Sequence, residues 1–247
     1  MLIEQTIEKM RMMKMNKMAG SLKERISRPD HQNLSFAEFI GFLIDDEYQY
    51  RQSLQLASRT RRARFKETTA CMENVDYQLK RSLTKKTMMD LAQNAWLRQH
   101  QNLIFSGPAG AGKSYLAQAL CHHACREGFT VLYMRCPKLY QTLHVARADG
   151  SYLTKLKMIA KANVIILDDF GVTPIDEEKR QDLFELVEDR YGTASTIVTT
   201  QLPTEKWHQY LGGGMLGDSI CDRLLRNAHK VKLTGDSNRP EIKNLTA

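Results

Sequence analysis

Long apolar runs are missing from this chain of 247 residues. No stretch approaches the roughly 20 residues that a membrane helix needs, so a spanning protein is not expected. Glu4 and Glu8 interrupt the N-terminus and no apolar core follows, so a secretory leader is not expected either. Cysteine is scarce: Cys71, Cys121, Cys125, Cys136 and Cys221 are odd in number and scattered. That pattern excludes a disulfide framework and suits a reducing cytoplasm. Cys121-His-His-Ala-Cys125 has metal-ligand residue types, but it falls in an apolar helical stretch and reads as packing. Internal repeats are also lacking. The chain has an ordinary globular balance, 42 % apolar and 26 % charged, with room for one α/β domain and a small extra one.

Charge is unevenly spread. Through Lys86 there are 17 Lys/Arg against 11 Asp/Glu, whereas the rest holds 19 against 17. A basic first third suits an anionic partner, most simply nucleic acid; the alternative is a well-solvated helical surface.

Residues 1–28 read as one helix with a methionine-rich apolar side, ending before Pro29. Ser35-Phe-Ala-Glu38 matches a capping box and should open a long helix running to about Phe65. The apolar face of Phe36, Phe39, Ile40, Leu43 and Ile44 gives way to Arg59, Arg61, Arg62, Arg64 and Lys66, cations expected to supply DNA-backbone contacts. Another helix is expected at about 85–99. From Asn102 onward, β-rich runs at 103–105, 130–133, 164–167, 196–200 and 230–233 alternate with helices, the signature of a parallel sheet covered on both faces. A helical pair at 138–147 and 151–161 falls between the second and third runs. The polar tail after Thr234 should be loose.

Gly107-Pro108-Ala109-Gly110-Ala111-Gly112-Lys113-Ser114 fits G-x-x-x-x-G-K-[ST] between a strand and a helix, and these residues with Tyr115 are the expected nucleotide contacts. Such a loop curls its amides around phosphate, aided by the helix N-terminus. Lys113 would reach the β- and γ-phosphates of ATP, and Ser114 would ligate Mg²⁺. Val164-Ile-Ile-Leu-Asp168-Asp169 supplies the acidic half of the site. Asp168 would hold Mg²⁺ through water, and Asp169 would polarise the attacking water. Asp169-Phe170-Gly171 looks like the kinase DFG, but the kinase Gly-rich loop and H-R-D segment are absent. Thr199-Thr200-Gln201 should put polar side chains beside the γ-phosphate. Arg223 precedes the last strand and is placed either to act as a finger on a neighbour's nucleotide or to pair with Asp222 or Asp218.

These motifs resemble the AAA+ superfamily, in its branch of IstB-like transposition helpers and DnaC-like helicase loaders. The resemblance covers nearly the whole chain. It rests on Leu34-Ser-Phe-Ala-Glu-Phe, Arg61-Arg-Ala-Arg-Phe65, the phosphate loop, Ile166-Leu-Asp-Asp-Phe-Gly171, Ile197-Val-Thr-Thr-Gln-Leu-Pro203 with Trp207, and Asp222-Arg-Leu-Leu-Arg-Asn-Ala-His229. Residues 34–65 and 207–229 resemble IstB-like proteins more than loaders. The resemblance implies an α/β P-loop AAA+ core with a five-stranded parallel sheet flanked by helices, preceded by a small all-helical domain. It divides the chain into a DNA-binding and assembly domain at 1–75, an ATPase core at 76–235 and a flexible tail at 236–247. It implies an ATP- and Mg²⁺-dependent, cytoplasmic ATPase that oligomerises on duplex DNA and recruits a DDE-type transposase. Gln201 with Thr200 takes a sensor role and Arg223 the finger role. The helical pair at 138–161 matches an insertion of initiator-type members; its Lys155, Lys157 and Lys161 either touch DNA backbone or are solvated. At Asp169 many family members carry Glu, and the shorter acid implies slow hydrolysis without a partner. The rival functions are a helicase loader, a small-molecule kinase and a non-hydrolysing DNA clamp.

Overall fold

The computed structural model describes residues 2–27, 34–77 and 82–235. It comprises two compact units, 1–58 and 59–247. The first holds α1 (Leu2–Met12), α2 (Asn16–Ile26) and most of α3 (Phe36–Ala63). Its small core gathers Ile7, Met18, Ala19, Leu22 and Leu43. The single helix expected over 1–28 is therefore two. Lys14 adopts φ +59°, the Lys14 amide donates to Arg11 O (2.9 Å) and the Met15 amide to Met10 O (2.9 Å). These bonds form a Schellman stop, with lysine where glycine is usual. Glu47 of α3 is buried and accepts from the Met18 amide at 2.9 Å, satisfying the start of α2. The capping box is present: the Ser35 amide donates to Glu38 at 2.8 Å, and the Glu38 amide donates to Ser35 Oγ at 3.3 Å. Pro29 and the tail from residue 236 lie outside the described residues.

The second unit is built on five parallel strands: β1 (Asn102–Ser106), β2 (Val131–Arg135), β3 (Val164–Phe170), β4 (Ser195–Thr200) and β5 (Ala228–Lys232), in the order β2-β3-β4-β1-β5. Helices α4 (Lys85–Ala92) and α5 (Ala95–Arg98) precede the sheet. The helix expected over 85–99 breaks at Asn94, which adopts φ +57°, a conformation asparagine tolerates. Helix α6 (Lys113–Arg126) packs on the sheet after β1. Helices α7 (Cys136–Ala148), α8 (Tyr152–Ala160), α9 (Glu177–Arg190), α10 (Trp207–Tyr210) and α11 (Gly214–Leu225) complete the unit. Their apolar side chains share one core with Ile104, Ile165, Leu167 and Val198 of the sheet. Strand alternation sends Leu103, Phe105, Ile166 and Ile197, also buried, to the other face. The Phe of the DFG-like triplet, Phe170, is a core residue whose ring packs at a tilt on Trp207 (4.4 Å between ring centres). The fold class is the one expected. The compact units divide at 58/59, and residues 59–73 pack along α6.

Candidate nucleotide site

The strand order explains why distant segments meet. β4 lies between β3 and β1, so the C-terminal ends of these three strands form one edge, the edge where parallel sheets bind ligands. The phosphate loop leaves β1 at Gly107, whose φ is +148°. A Cβ there would run into the Leu233 carbonyl, so only glycine lets the loop pass. Gly112, at φ +86°, turns the chain into α6 and opens that helix N-terminus toward the loop. Pro108 and Ala109 are exposed, Gly110 and Tyr115 half-buried, and Ala111 buried. Lys113 is largely buried, and its Nζ arches over the loop to donate to Gly107 O (3.0 Å) and Pro108 O (2.6 Å).

Asp168 is the hub. Its Oδ1 accepts from Ser114 Oγ at 2.6 Å and from Thr199 Oγ1, and its Oδ2 accepts from the Tyr133 hydroxyl at 2.7 Å. Only 3 % of the residue is exposed. Burial and the adjacent Asp168 carboxylate push the Tyr133 hydroxyl pKa well up, so it stays a donor. No cluster of three His, Cys, Asp or Glu exists among the described residues. A hydroxyl beside one carboxylate is instead the sparse oxygen set that suits Mg²⁺, which draws its other ligands from water and phosphate. Ser114 and Asp168 are the residues that would hold it.

Asp169 occupies a different environment one residue on. The β3–β4 register shifts between Leu167 and Phe170, and Asp169 takes φ +58°. A bulge re-aims a side chain, and a left-handed non-glycine costs roughly 1–3 kcal/mol, a combination typical of functional sites. Asp169 is half-buried, and its Oδ2 accepts from Arg135 Nε at 2.7 Å. That bond raises the Arg135 pKa further.

Several roles are redistributed relative to the sequence reading. Thr200, expected beside the γ-phosphate, donates to Phe170 O (2.8 Å) and accepts from the Leu202 amide (2.9 Å), so it braces backbone. Its neighbour Thr199 is the hydroxyl at the acid. Strand parity sends adjacent residues to opposite faces, and the sequence alone does not say which face holds the site. Gln201 is exposed just beyond β4. Sequence reasoning missed Tyr133 and Arg135, and of the Thr199-Thr200 pair it gave the sensor role to Thr200. The available signal for Tyr133 and Arg135 was their place on β2, the strand that precedes the helical pair, with Arg135 at its C-terminal end.

Arg223 forms an ion pair with Glu188 of α9, and its guanidinium lies 5.2 Å from the Phe184 ring. Asp218 pairs with His208 (3.0 Å) and Asp222 with Arg226 (3.6 Å), so neither acid expected beside Arg223 holds it. The Arg223 carbonyl accepts from Asn102 Nδ2 at 2.8 Å, at the first residue of β1. The phosphate loop leaves the far end of that strand, roughly 13 Å away along its length. In the basic segment, Arg59 Nε donates to Cys125 O at 2.9 Å, whereas Arg61, Arg62, Arg64 and Lys66 are exposed. On α8, Lys155 is half-buried and Lys157 exposed, and Lys161, just after the helix, is exposed.

A glycine-rich phosphate loop between β1 and α6, paired acids ending β3 and a polar end of β4 define an ATP-binding P-loop protein of the AAA+ class. The model of the IstB-like ATP binding protein family matches residues 8–246, and the chain belongs to that family. An insertion sequence ATP-binding protein of Sinorhizobium fredii is 42 % identical over 97 % of each chain. An ATP-binding protein from an insertion sequence of Mycobacterium tuberculosis is 31 % identical, over 94 % of this chain and 92 % of that one. Among solved structures, the DnaC helicase loader has a TM-score of 0.58 at 20 % identity, covering 66 % of this chain and 96 % of that one. AMPPCP-bound DnaA of Aquifex aeolicus has a TM-score of 0.57 at 18 % identity, covering 68 % of this chain and 50 % of that one. These two likenesses concern the fold. No helix among the described residues is long and apolar enough to cross a membrane.

Proposed function

We propose that this chain is a cytoplasmic ATPase that assembles on duplex DNA under ATP and presents that DNA to the DDE-type transposase of its insertion sequence. The contact between Ser114 and Asp168 carries the reading, because it brings the phosphate loop and the acidic strand end to one point. Loop amides and Lys113 bind the β- and γ-phosphates, which fixes the γ-phosphorus in place. Ser114 and Asp168 would hold Mg²⁺, which would supply positive charge against that of the phosphates. Asp169 swings from Arg135 to a water, takes its proton as the water oxygen attacks the γ-phosphorus, and ADP leaves with the bridging electrons. Gln201 orients that water from the end of β4, with Thr200 holding the strand end that carries it.

Arg223 lies at the opposite end of β1 from its own phosphate loop, so it acts on a neighbouring subunit. There it stabilises transition-state charge and makes assembly ATP-dependent. Arg61, Arg62, Arg64 and Lys66, with Lys155 and Lys157, contact DNA phosphates with little sequence preference. The insertion-sequence relatives support the transposition context.

The test mixes two variants. Arg223→Ala alone and Lys113→Ala alone should each lack DNA-stimulated hydrolysis. Mixed, one subunit supplies an intact loop and the other an intact arginine, so part of the activity should return. If both proteins stay folded and co-assemble yet mixing restores nothing, Arg223 does not act across subunits.

A further inference from the structure

Helix α6 begins with the two residues that meet phosphate and Mg²⁺ in this reading, and one turn later it carries Gln118. This side chain is fully buried. Its Oε1 accepts from the Lys66 amide (2.8 Å) and the Glu67 amide (2.8 Å), and its Nε2 donates to Ser114 O (3.0 Å). Two backbone donors on one side and a carbonyl on the other leave a single orientation for the side-chain amide. Further turns of α6 tether the same segment. His122 stacks on Phe65 (3.9 Å) and sets Nε2 3.2 Å from Glu67 O. Cys125 O accepts from Arg59, and Arg126 pairs with Glu73 at 3.0 Å. The exposed cations Arg61, Arg62, Arg64 and Lys66 therefore hang on a segment bound along the helix that starts at the phosphate loop.

We propose that Gln118 is the positioning residue through which the occupied phosphate loop sets the basic segment 59–66 for DNA. The proposal rests on the reading that this segment contacts DNA under ATP. Its physical basis is the stiffness of α6. Whatever ATP does to Lys113 and Ser114 at the helix start reaches Gln118 one turn on, and Gln118 is joined directly to the main-chain amides of Lys66, the last residue of the segment, and of Glu67 just after it. A side-chain tether would follow such a shift loosely. A buried amide pinning consecutive backbone N–H groups follows it closely, because leaving those donors unpaired is costly.

The experiment has two readouts on the full chain, with Mg²⁺ and AMPPCP as the nucleotide. Hydrogen exchange at the amides of 66 and 67 should slow when AMPPCP binds the parent, and this response should vanish in Gln118→Leu. Duplex-DNA titration should show AMPPCP tightening the parent about tenfold, within the usual range of coupling between sites. In Gln118→Leu the enhancement should shrink to less than about twofold, with AMPPCP affinity unchanged within the same factor. Glu67→Pro removes one pinned amide while leaving every residue of α6 in place and should give the same loss. The double variant should be no worse than either single one. If Gln118→Leu does not fold, Glu67→Pro and the parent's exchange response decide. Unchanged exchange at 66 and 67 on AMPPCP binding overturns the proposal, as does retained tenfold enhancement in a folded variant. A parent that shows the exchange response but no enhancement of DNA binding leaves Gln118 in its role and instead removes the DNA reading.

Discussion

The acidic edge of the sheet and the basic segment 59–66 are both charged, but they are built on opposite plans. At the edge, Asp168 is buried, both its oxygens are taken by hydroxyls from three different elements, and Asp169 is held by Arg135. Each group has a fixed partner, and the backbone itself is bent to present Asp169. In the basic segment only Arg59 among the five cations is drawn into the main chain of α6, and four stay exposed. A site that must place one water within hydrogen-bond reach of a carboxylate gains from preorganised dipoles. A surface that meets a uniform phosphate backbone gains from cations that can adjust. Under the proposed function, the difference separates chemistry, which needs a rigid frame, from adhesion, which needs only its anchor point fixed.

The largest effect expected on this contrast is at Asp169. Asp169→Asn should lower ATP turnover by about 10²- to 10⁴-fold, the usual worth of a general base, with nucleotide affinity little changed because Asp168 remains. A phosphate-release assay at saturating ATP checks this, and turnover at the parent rate would move the role to another group. Lys113→Ala comes next. Loss of a charged donor to phosphate should weaken nucleotide binding roughly 10- to 100-fold. Fluorescent-nucleotide titration reads it directly, and unchanged affinity would break the assignment of the rigid site. The smallest pair sharpens the contrast within the basic segment. Arg62→Ala should reduce the log–log salt slope of duplex binding by about one while leaving thermal stability alone. Arg59→Ala should do the reverse, costing about 1 kcal/mol of stability through its lost bond to Cys125 O without altering the slope. Equal slopes and equal stabilities for the two variants would erase the distinction drawn between anchor and contact.

The legible features were local ones. The G-x-x-x-x-G-K-S spacing dictates its own loop because each glycine, the lysine and the helix start act within eight consecutive residues. The capping box at Ser35 and Glu38 is readable for the same reason: both partners lie in one turn. β-rich runs between helices were enough for a parallel sheet, since periodicity is a property of short windows. The left-handed stop at Asn94 had a signal in the residue type, whereas the stop at Lys14 had none, because lysine adopts that conformation only where other bonds hold it there.

Contacts set by strand order and strand parity were out of reach of the sequence. Which of Thr199 and Thr200 faces Asp168 depends on the phase of β4 between β3 and β1, and a one-residue shift would exchange their roles. Tyr133 and Arg135 join the site only because β2 pairs with β3 in a register that sets Arg135 opposite Asp168. Arg223 reaches Glu188 across two packed helices and not the acids nearest in sequence, whose side chains turn to His208 and Arg226. Short-range spacing thus determined which chemistry this protein carries, because backbone curl and helix starts are local. Tertiary packing decided which hydroxyls and which arginine stand beside it, because those distances close only when strands far apart in the chain lie side by side.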